Sequence, residues 1–232
     1  MAKQGEDAVS PVVGVMLMLI VTIIIAAVVS GFAGTLISGQ DKAPTITADA
    51  KIVNAGYYYP SIFQIRITGV SDPVPTRDVK IVTTWTSSQT GEKNQTVVMP
   101  NVPNQHYGSY NYPAPLGSGP GVENFKMVNE RDPAQYFGNY TLVAGTSIFA
   151  YPAGAWGPYS TAAYGGYGPV TPTYNYTTGT GYIYGTDVDD VQAVLGYNWN
   201  ATRPGDIVNV KLIHIPTGKT IFEKDVPVEK GA

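Results

Sequence analysis

The chain has 232 residues, of which only 13% are charged, and it contains 26 glycines, 17 tyrosines and no cysteine. An average soluble domain carries roughly a quarter charged residues. The lack of cysteine excludes a disulfide-stapled module, a cysteine-ligated metal centre and a cysteine nucleophile. The formal net charge of -3 gives no electrostatic reason to expect nucleic-acid binding.

The first element is a long uncharged stretch. No ionisable side chain occurs between Val9 and Gln40, and residues 12–37 are almost wholly aliphatic residues, Met, Ala and Gly. As a helix those residues are about 39 Å long, which exceeds a hydrocarbon core of roughly 30 Å. Ser10 is a suitable cap and Pro11 suits the first helical position. The pattern predicts a membrane-spanning helix within residues 9–41 that begins at Pro11.

A cleaved secretory signal is the main alternative for this stretch. Its apolar region is usually about 7–15 residues long and follows a basic leader. Here the apolar run is roughly twice that length, and the preceding MAKQGED holds one Lys and two acids. Both features favour a retained helix.

Small residues recur at helical spacing near the end of this helix. Ala26, Ser30 and Gly34 recur every four residues, with Ala27 and Gly31 beside them. Such a stripe lets another helix approach closely. Two interpretations stay open: a helix that packs against copies of itself, and the general abundance of small residues in membrane spans.

The segment from Ala8 to Val29, AVSPVVGVMLMLIVTIIIAAVV, resembles the N-terminal segment of archaeal type IV pilins, particularly those of euryarchaea. The Ser-Pro-Val-Val-Gly-Val start is the specific part, and the resemblance covers about the first 40 residues. It implies a precursor with a short leader that prepilin peptidase cuts on the cytoplasmic side. It also implies a helix that moves from the membrane into the core of a filament.

The resemblance implies a leader of residues 1–8, with cleavage between Ala8 and Val9 or, alternatively, between Gly5 and Glu6. Neither position has the basic residue that the family usually shows just before the small one. Bacterial pilins carry a Glu near the start of the apolar segment, and its absence after Val9 fits the archaeal branch. The residues expected to pack in the filament are Pro11, Gly14, Ala26, Ala27, Ser30, Gly31 and Gly34.

Residues 42–232 have the alternation typical of strands. The predicted strands are 45–53, 62–70, 79–85 and 95–99, followed by a C-terminal hairpin of 206–215 and 220–228. No amphipathic helix of normal length interrupts them. The sequence therefore predicts an all-β head with an immunoglobulin-like sandwich of two sheets packed face to face.

A Tyr/Gly-rich insertion of about residues 100–186 enlarges this head. Residues 133–186 hold ten tyrosines and no charged residue in 54 positions. Short strands are predicted at 140–149 and 180–184. The tyrosines suit two roles, cover for the sandwich or contact with other subunits, glycans or surface ligands. A role in charge transport is disfavoured, because the chain has no haem-attachment motif.

Four sequons follow the apolar helix, each with Thr as its third residue. All lie on the side expected to face outward, so N-glycosylation is predicted among them. The candidate positions are Asn94, Asn139, Asn175 and Asn200.

Candidates for catalysis are few. His106 is expected in a polar loop and His214 in a strand, with no second ligand at metal-binding spacing. Asp187, Asp189 and Asp190 lack the Gly and distal Glu of a calcium loop. They are expected to form a solvated turn or the start of a short helix ending near Leu195. The sequence predicts no enzyme, no cofactor and no metal site.

The function predicted is that of a structural subunit of an extracellular archaeal type IV pilus, polymerising through its N-terminal helix and serving adhesion. Its expected partners are copies of itself, prepilin peptidase, the pilus assembly machinery and, before assembly, the membrane. The alternatives are a membrane-anchored surface binding protein that does not polymerise and an archaellum filament subunit. The Ser10 to Gly14 start resembles adhesive pilins more than archaellins.

Overall fold

The computed structural model describes residues 11–38, 42–56, 58–153, 166–167, 172–173, 182–183 and 185–231. The chain divides into two compact units, with the boundary between Lys42 and Ala43. The first unit contains one helix, α1, Pro11–Ser38. At 1.5 Å per residue, its 28 residues make a rod about 42 Å long.

The second unit, the head, is built mainly from strands. These are β1 Ile46–Val53, β2 Ile62–Val70, β3 Val74–Pro75, β4 Val79–Thr86, β5 Lys93–Val98, β6 Gln105–Tyr107, β7 Tyr110–Tyr112, β8 Leu116–Ser118, β9 Thr141–Leu142, β10 Ser147–Ala150, β11 Gly166–Tyr167, β12 Pro172–Thr173, β13 Ile207–His214 and β14 Lys219–Glu229. One short helix, α2, spans Asp190–Leu195, and single 3₁₀ turns lie at Thr76–Asp78, Pro133–Gln135 and Trp199–Ala201.

Eight strands form one sheet in the order β5-β4-β13-β14-β1-β2-β10-β8. Strand β14 pairs with β13 over residues 219–227, whereas its last two paired residues, Val228 and Glu229, lie parallel to the end of β1. The other neighbours are antiparallel. The end of β14 therefore joins two four-stranded halves. The prediction of an apolar helix followed by a β-sandwich-like head is confirmed, with a curled sheet supplying both layers.

Alternation of apolar side chains gives the sheet its buried face. Phe63, Ile65 and Ile67 of β2 are fully buried, and residues of β4 and β13 join them in one cluster. At about 25 cal/mol per Å² of buried apolar area, this burial is the main stabilising contribution. The six longest strands, β1, β2, β4, β5, β13 and β14, coincide with the predicted ones to within two residues.

The Tyr/Gly-rich segment is partly built into the sheet. Strand β10 pairs with β2 and with β8, so the segment supplies the last two strands at one edge. The predicted strand 140–149 is two short strands separated by a turn at Gly145, whose φ is +94°. Of the predicted strand 180–184, the structure describes residues 182–183, which are not in a strand. His106 lies in β6 rather than in a loop.

Tyrosines of this segment have more than one role. Tyr112 and Tyr140 are 1% exposed and belong to the core, which agrees with the cover interpretation for these two rings. Tyr151 is 42% exposed. Most of the other tyrosines after Tyr151 in this segment lie outside the described residues.

The short helix α2 begins at the acidic cluster. A carboxylate oxygen of Asp189 accepts a hydrogen bond from the Gln192 N–H at 2.8 Å, and Oε1 of Gln192 accepts one from the Asp189 N–H at 2.8 Å. This reciprocal pair is a capping box. The interpretation as a helix start ending near Leu195 is confirmed, whereas the solvated turn is wrong because Asp189 and Asp190 are buried.

Candidate functional site

The apolar surface of α1 is the first candidate site. Every described side chain from Val12 to Gly31 is exposed, and this span is long and apolar enough to cross a membrane. Soluble monomers rarely expose contiguous apolar patches beyond a few hundred Å². The surface of α1 therefore has to be covered by lipid or by other protein chains.

The polar groups of α1 are compatible with a surrounding of lipid and with a surrounding of other protein chains. The helix carries no acidic residue in its first turn and no basic residue in its last. Its interior backbone groups are satisfied by the helix itself, which is the condition for residing in hydrocarbon. The hydroxyl of Thr22 donates to the Leu19 carbonyl at 2.8 Å, so this group also needs no outside partner.

The predicted packing residues lie on two sides of α1. A helix turns about 100° per residue, so Ala26, Ser30 and Gly34 lie within an arc of about 80°. Ala27 and Gly31 extend this arc to about 140°. The remaining two residues lie on the other side of Ala26 around the helix axis, Pro11 at about 60° and Gly14 at about 120° from it.

Two of these glycines are not required by the fold of the chain itself. A Cβ atom placed on Gly14 or on Gly31 would meet no other atom of the protein within 4 Å. Neither residue has a positive φ, so no backbone strain demands glycine there. Because neither residue has a side chain, a neighbouring helix has room to approach α1 closely at Gly14 and Gly31.

A comparison with family models identifies this segment. Residues 7–48, which include all of α1, match the family model described as archaeal type IV pilin, N-terminal. The chain carries an archaeal type IV pilin domain. The predicted resemblance is thereby confirmed, and the family is structural rather than enzymatic. No curated protein matches the chain.

The pilin domain includes Ala8 and Val9 of the predicted processing site but not the alternative position at Gly5 and Glu6. Ala8, Val9, Gly5 and Glu6 all lie outside the described residues. Cleavage at either position therefore stays a prediction.

The predicted glycosylation sites of the pilin head differ in environment. Asn139 is exposed, and its amide nitrogen donates to the Pro133 carbonyl at 2.8 Å. Asn94 is half-buried and donates to the side-chain oxygen of Asn198 at 2.5 Å. Asn200 is half-buried in a 3₁₀ turn, and Asn175 lies outside the described residues. Only Asn139 of the described sequons combines exposure with a turn.

A second candidate site in the pilin head surrounds α2. The hydroxyl of Tyr112 donates to Oδ1 of Asp190 at 2.8 Å. Burial, with smaller contributions from Glu130 and Asp189 nearby, holds the pKa of Asp190 well above its usual range despite this hydrogen bond. Burial also raises the pKa of Asp189 to about 7. At neutral pH Asp190 favours its neutral form, in which a carboxyl both donates and accepts hydrogen bonds, whereas Asp189 is close to half protonated.

No pattern in the sequence indicates this second site. In the sequence, Asp190 belongs to a cluster of acidic residues, which indicates a surface position. Tyr112 is one aromatic residue among many. In the part of the chain that the structure describes, no group of three or more His, Asp or Glu side chains is arranged to hold a metal ion. The site is therefore a set of hydrogen-bonding groups and aromatic rings.

Proposed function

We propose that this protein is a structural subunit of an extracellular archaeal type IV pilus, that it polymerises through α1, and that its head serves attachment to surfaces. The observation that carries the proposal is the exposed, uncharged span Val12–Gly31 of α1 within the pilin domain. The β head that follows this helix is a separate compact unit with a hydrophobic core of its own.

The chemistry of α1 suits a transfer from membrane to filament. A helix without charged residues loses little when lipid tails are replaced by apolar side chains of neighbouring helices, because both environments are apolar. Association then depends on close packing, for which small residues on two sides of the helix are suited. A helix in a filament core has neighbours on several sides, and α1 has residues suited to close packing on two of its sides.

The role of a simple membrane anchor accounts for fewer features of α1 than the role of a polymerising subunit does. About 20 apolar residues suffice to span a bilayer, whereas α1 has 28. Gly14 and Gly31 are unnecessary for the fold of the isolated chain. A polymerising subunit accounts for both features.

The proposed life cycle begins with a membrane-anchored precursor. Prepilin peptidase cuts between Ala8 and Val9, or alternatively between Gly5 and Glu6, and the assembly machinery then moves the helix into the filament. The mature subunit resides in a pilus on the archaeal cell surface. Its head acts by binding, without catalysis and without a cofactor.

Shearing of cells tests the proposal. We expect the protein to be released in thin filaments visible by electron microscopy, with a mature N-terminus at Val9 or Glu6. Cells lacking prepilin peptidase are the control and should retain the uncut protein in the membrane. Recovery in the membrane fraction alone, with Met1 or Ala2 at the N-terminus, would contradict the proposal.

The archaellum alternative predicts a different phenotype. Deletion of the gene should reduce attachment to surfaces and leave swimming intact if the filament is an adhesive pilus. Loss of swimming with normal attachment would instead assign the filament to the archaellum.

A further inference from the structure

The head contains a cavity of about 1060 Å³. Its wall is assembled from β1, β2 and β6, from the loops that follow β1 and β10, from the loop of residues 127–130, from Asp190 of α2 and from the end of β14. Ligand pockets commonly have volumes of about 300–1,000 Å³. This cavity is at the top of that range and has room for a ligand larger than a single ring.

Aromatic rings make up much of the wall. The four tyrosines at the cavity are Tyr58, Tyr59, Tyr107 and Tyr151. Tyr59 is 67% exposed, and its proximity contributes to a raised pKa of Tyr151, of which burial is the larger cause. Tyr107 packs edge-on against Tyr182, with ring centroids 6.0 Å apart. Tyr151, which is 42% exposed, packs against Phe149 with ring centroids 5.3 Å apart. The wall therefore combines partly exposed rings with aromatic neighbours that hold rings in position.

Asp190 is the most buried acidic group in the wall, with 6% of its surface exposed. The Tyr112 hydroxyl donates to it, and the Tyr112 ring stacks on that of Tyr136 with centroids 5.1 Å apart. Among the described residues, no lysine or arginine forms an ion pair with Asp190. Its carboxyl is therefore a fixed polar group without a cationic partner in the described part of the chain, and burial favours its neutral form.

Hydrogen bonds hold the surrounding loops in place. The carbonyl of Met127 accepts from the Gln135 amide, and the carbonyl of Glu130 accepts from the Tyr136 hydroxyl, both at 2.9 Å. On the other side, the Ala153 N–H donates to Asp189 at 2.6 Å. A site held in this way loses little conformational freedom when a ligand binds.

We propose that this cavity binds a neutral oligosaccharide. Tyrosine rings provide flat apolar surfaces for the C–H faces of sugar rings, while Asp190, Glu130 and Gln64 provide acceptors and donors for sugar hydroxyls. The inference rests on the proposed function, because it names the class of surface molecule to which the pilus attaches.

Charge argues against other ligands. The wall carries three acidic side chains, Asp190, Glu130 and Glu229, and two basic ones, Lys51 and Lys230. Lys51 pairs with Glu229 at 3.5 Å, and burial disfavours the ionised forms of Asp190 and Glu130. The cavity therefore has little net charge to attract an anion or a cation, and a neutral molecule with many hydroxyls fits it.

An array of neutral hexose disaccharides and trisaccharides tests the proposal. The full chain is applied in detergent micelles and, separately, as sheared filaments, with a sialylated trisaccharide and choline as charged comparison ligands. We expect both forms to bind at least one neutral oligosaccharide and neither charged ligand. The affinity for the best ligand is then measured by calorimetry.

Three variants locate the binding. Tyr151→Ala should weaken it about 3- to 10-fold through the loss of one stacking surface. Tyr197→Ala, which removes an exposed tyrosine away from the cavity, should leave it unchanged. Asp190→Asn keeps a neutral group that donates and accepts, so it should change the affinity by less than about threefold.

Two results would overturn the proposal. One is absence of binding to every neutral oligosaccharide by both micellar and filamentous protein. The other is binding of choline that Asp190→Asn abolishes, which would assign the cavity to a cation. Binding by the micellar chain together with an absence of filaments from cells would overturn the filament function and leave this inference intact.

Neutral sugars have two sources, the surface of another cell and a glycan on a neighbouring subunit. Filaments in which all four sequon asparagines are replaced by Gln distinguish them. If a neighbour's glycan occupies the cavity, these filaments bind the free oligosaccharide more tightly than the parent. If the ligand belongs to another surface, the two affinities are equal.

Discussion

Trp85 of β4 donates its indole N–H to the main-chain carbonyl of Leu195, the last residue of α2, at 2.8 Å. The Thr83 hydroxyl, two residues earlier on the same strand, donates to the neighbouring Val194 carbonyl at 2.6 Å. The last carbonyls of a helix have no partner within it. Side chains of the sheet therefore satisfy the C-terminal end of α2 and hold Asp190, at its other end, beside the cavity.

Replacing Trp85 by Phe tests this link. The variant keeps an aromatic ring but leaves the buried Leu195 carbonyl without its donor, so we expect the free energy of unfolding to fall by about 1–3 kcal/mol. Chemical denaturation of the full chain in detergent measures the change. Thr83→Ser, which keeps the hydroxyl, is the matched control with a smaller loss, and a Trp85→Phe head as stable as the parent would contradict the role of this bond.

A charge in the middle of α1 should prevent assembly. Ile24→Asp places a carboxylate in hydrocarbon or in a filament core, at a cost of about 2.5–3.5 kcal/mol in membrane insertion alone. We expect no sheared filaments from this variant, whereas Ile24→Leu should assemble normally. Electron microscopy of the sheared fraction decides the outcome, and normal filaments from Ile24→Asp would rule out a buried helix.

A larger side chain at position 31 should reduce filament assembly without changing the membrane insertion of the single chain. A Cβ there meets nothing within 4 Å, so Gly31→Leu should insert into the membrane as the parent does. A close helix neighbour would be displaced by the leucine side chain, and we expect the filament yield to fall several-fold. Val28→Leu, at another exposed position of α1, is the control. Equal yields from Gly31→Leu and the parent would exclude close approach at this position.

The buried carboxyls predict how stability depends on pH. The folded head retains protons on Asp189 and Asp190 at pH values where the unfolded chain, with an ordinary pKa of 3.8, releases them. The stabilising contribution of these two groups is therefore greatest at about pH 4 and below, and it falls as the pH rises toward 7, by about 1.4 kcal/mol per pH unit for each proton retained.

Asp190→Asn should make this decline less steep, because it removes the contribution of Asp190 and leaves those of Asp189 and Glu130. Denaturation midpoints measured between pH 4 and pH 7 test the difference. Asp72→Asn, at an exposed loop position, is the control and should follow the parent. An Asp190→Asn profile as steep as that of the parent would show that Asp190 is ionised in the folded head.

Modification should concentrate at Asn139. Both side-chain amides donate a hydrogen bond, Asn139 to Pro133 and Asn94 to Asn198, but Asn139 is exposed in a turn whereas Asn94 is half-buried in a strand. We expect peptide mass spectrometry of native pili to show glycan on most copies of Asn139 and on few copies of Asn94. Asn139→Gln should reduce the mass by one glycan, and pili with unmodified Asn139 would refute this assignment.

Local patterns explain which elements the sequence predicts well. Helix α1 is a continuous run without charge, and β13 and β14 alternate polar and apolar residues around a turn at Gly218. Such signals lie within one element or one hairpin. The same holds for the resemblance to archaeal pilins, which lies in one continuous segment and has its most specific part at the Ser-Pro-Val-Val-Gly-Val start.

Features that depend on distant residues were not predictable. Strand β8 has three residues, too short for a period of two to be recognised. Strand β10 overlaps the predicted strand 140–149, but its pairing with β2 spans more than 75 residues of sequence. The cavity takes its wall from segments spread between Lys51 and Gly231. The burial of Asp190 depends on the packing of α2, so its charge misleadingly indicated a surface position.

The place of β1 in the sheet has a mechanical consequence. β1 is the first strand after α1, and all eight of its residues pair with β2 while its end also pairs with β14. In the proposed filament, tension transmitted along the chain from the core would enter the head through this strand. Antiparallel hydrogen bonds run across the strand direction. A pull along the axis of β1 therefore loads all of its hydrogen bonds to β2 together instead of breaking them one after another. A head without cysteine thereby gains resistance to drag from strand pairing alone.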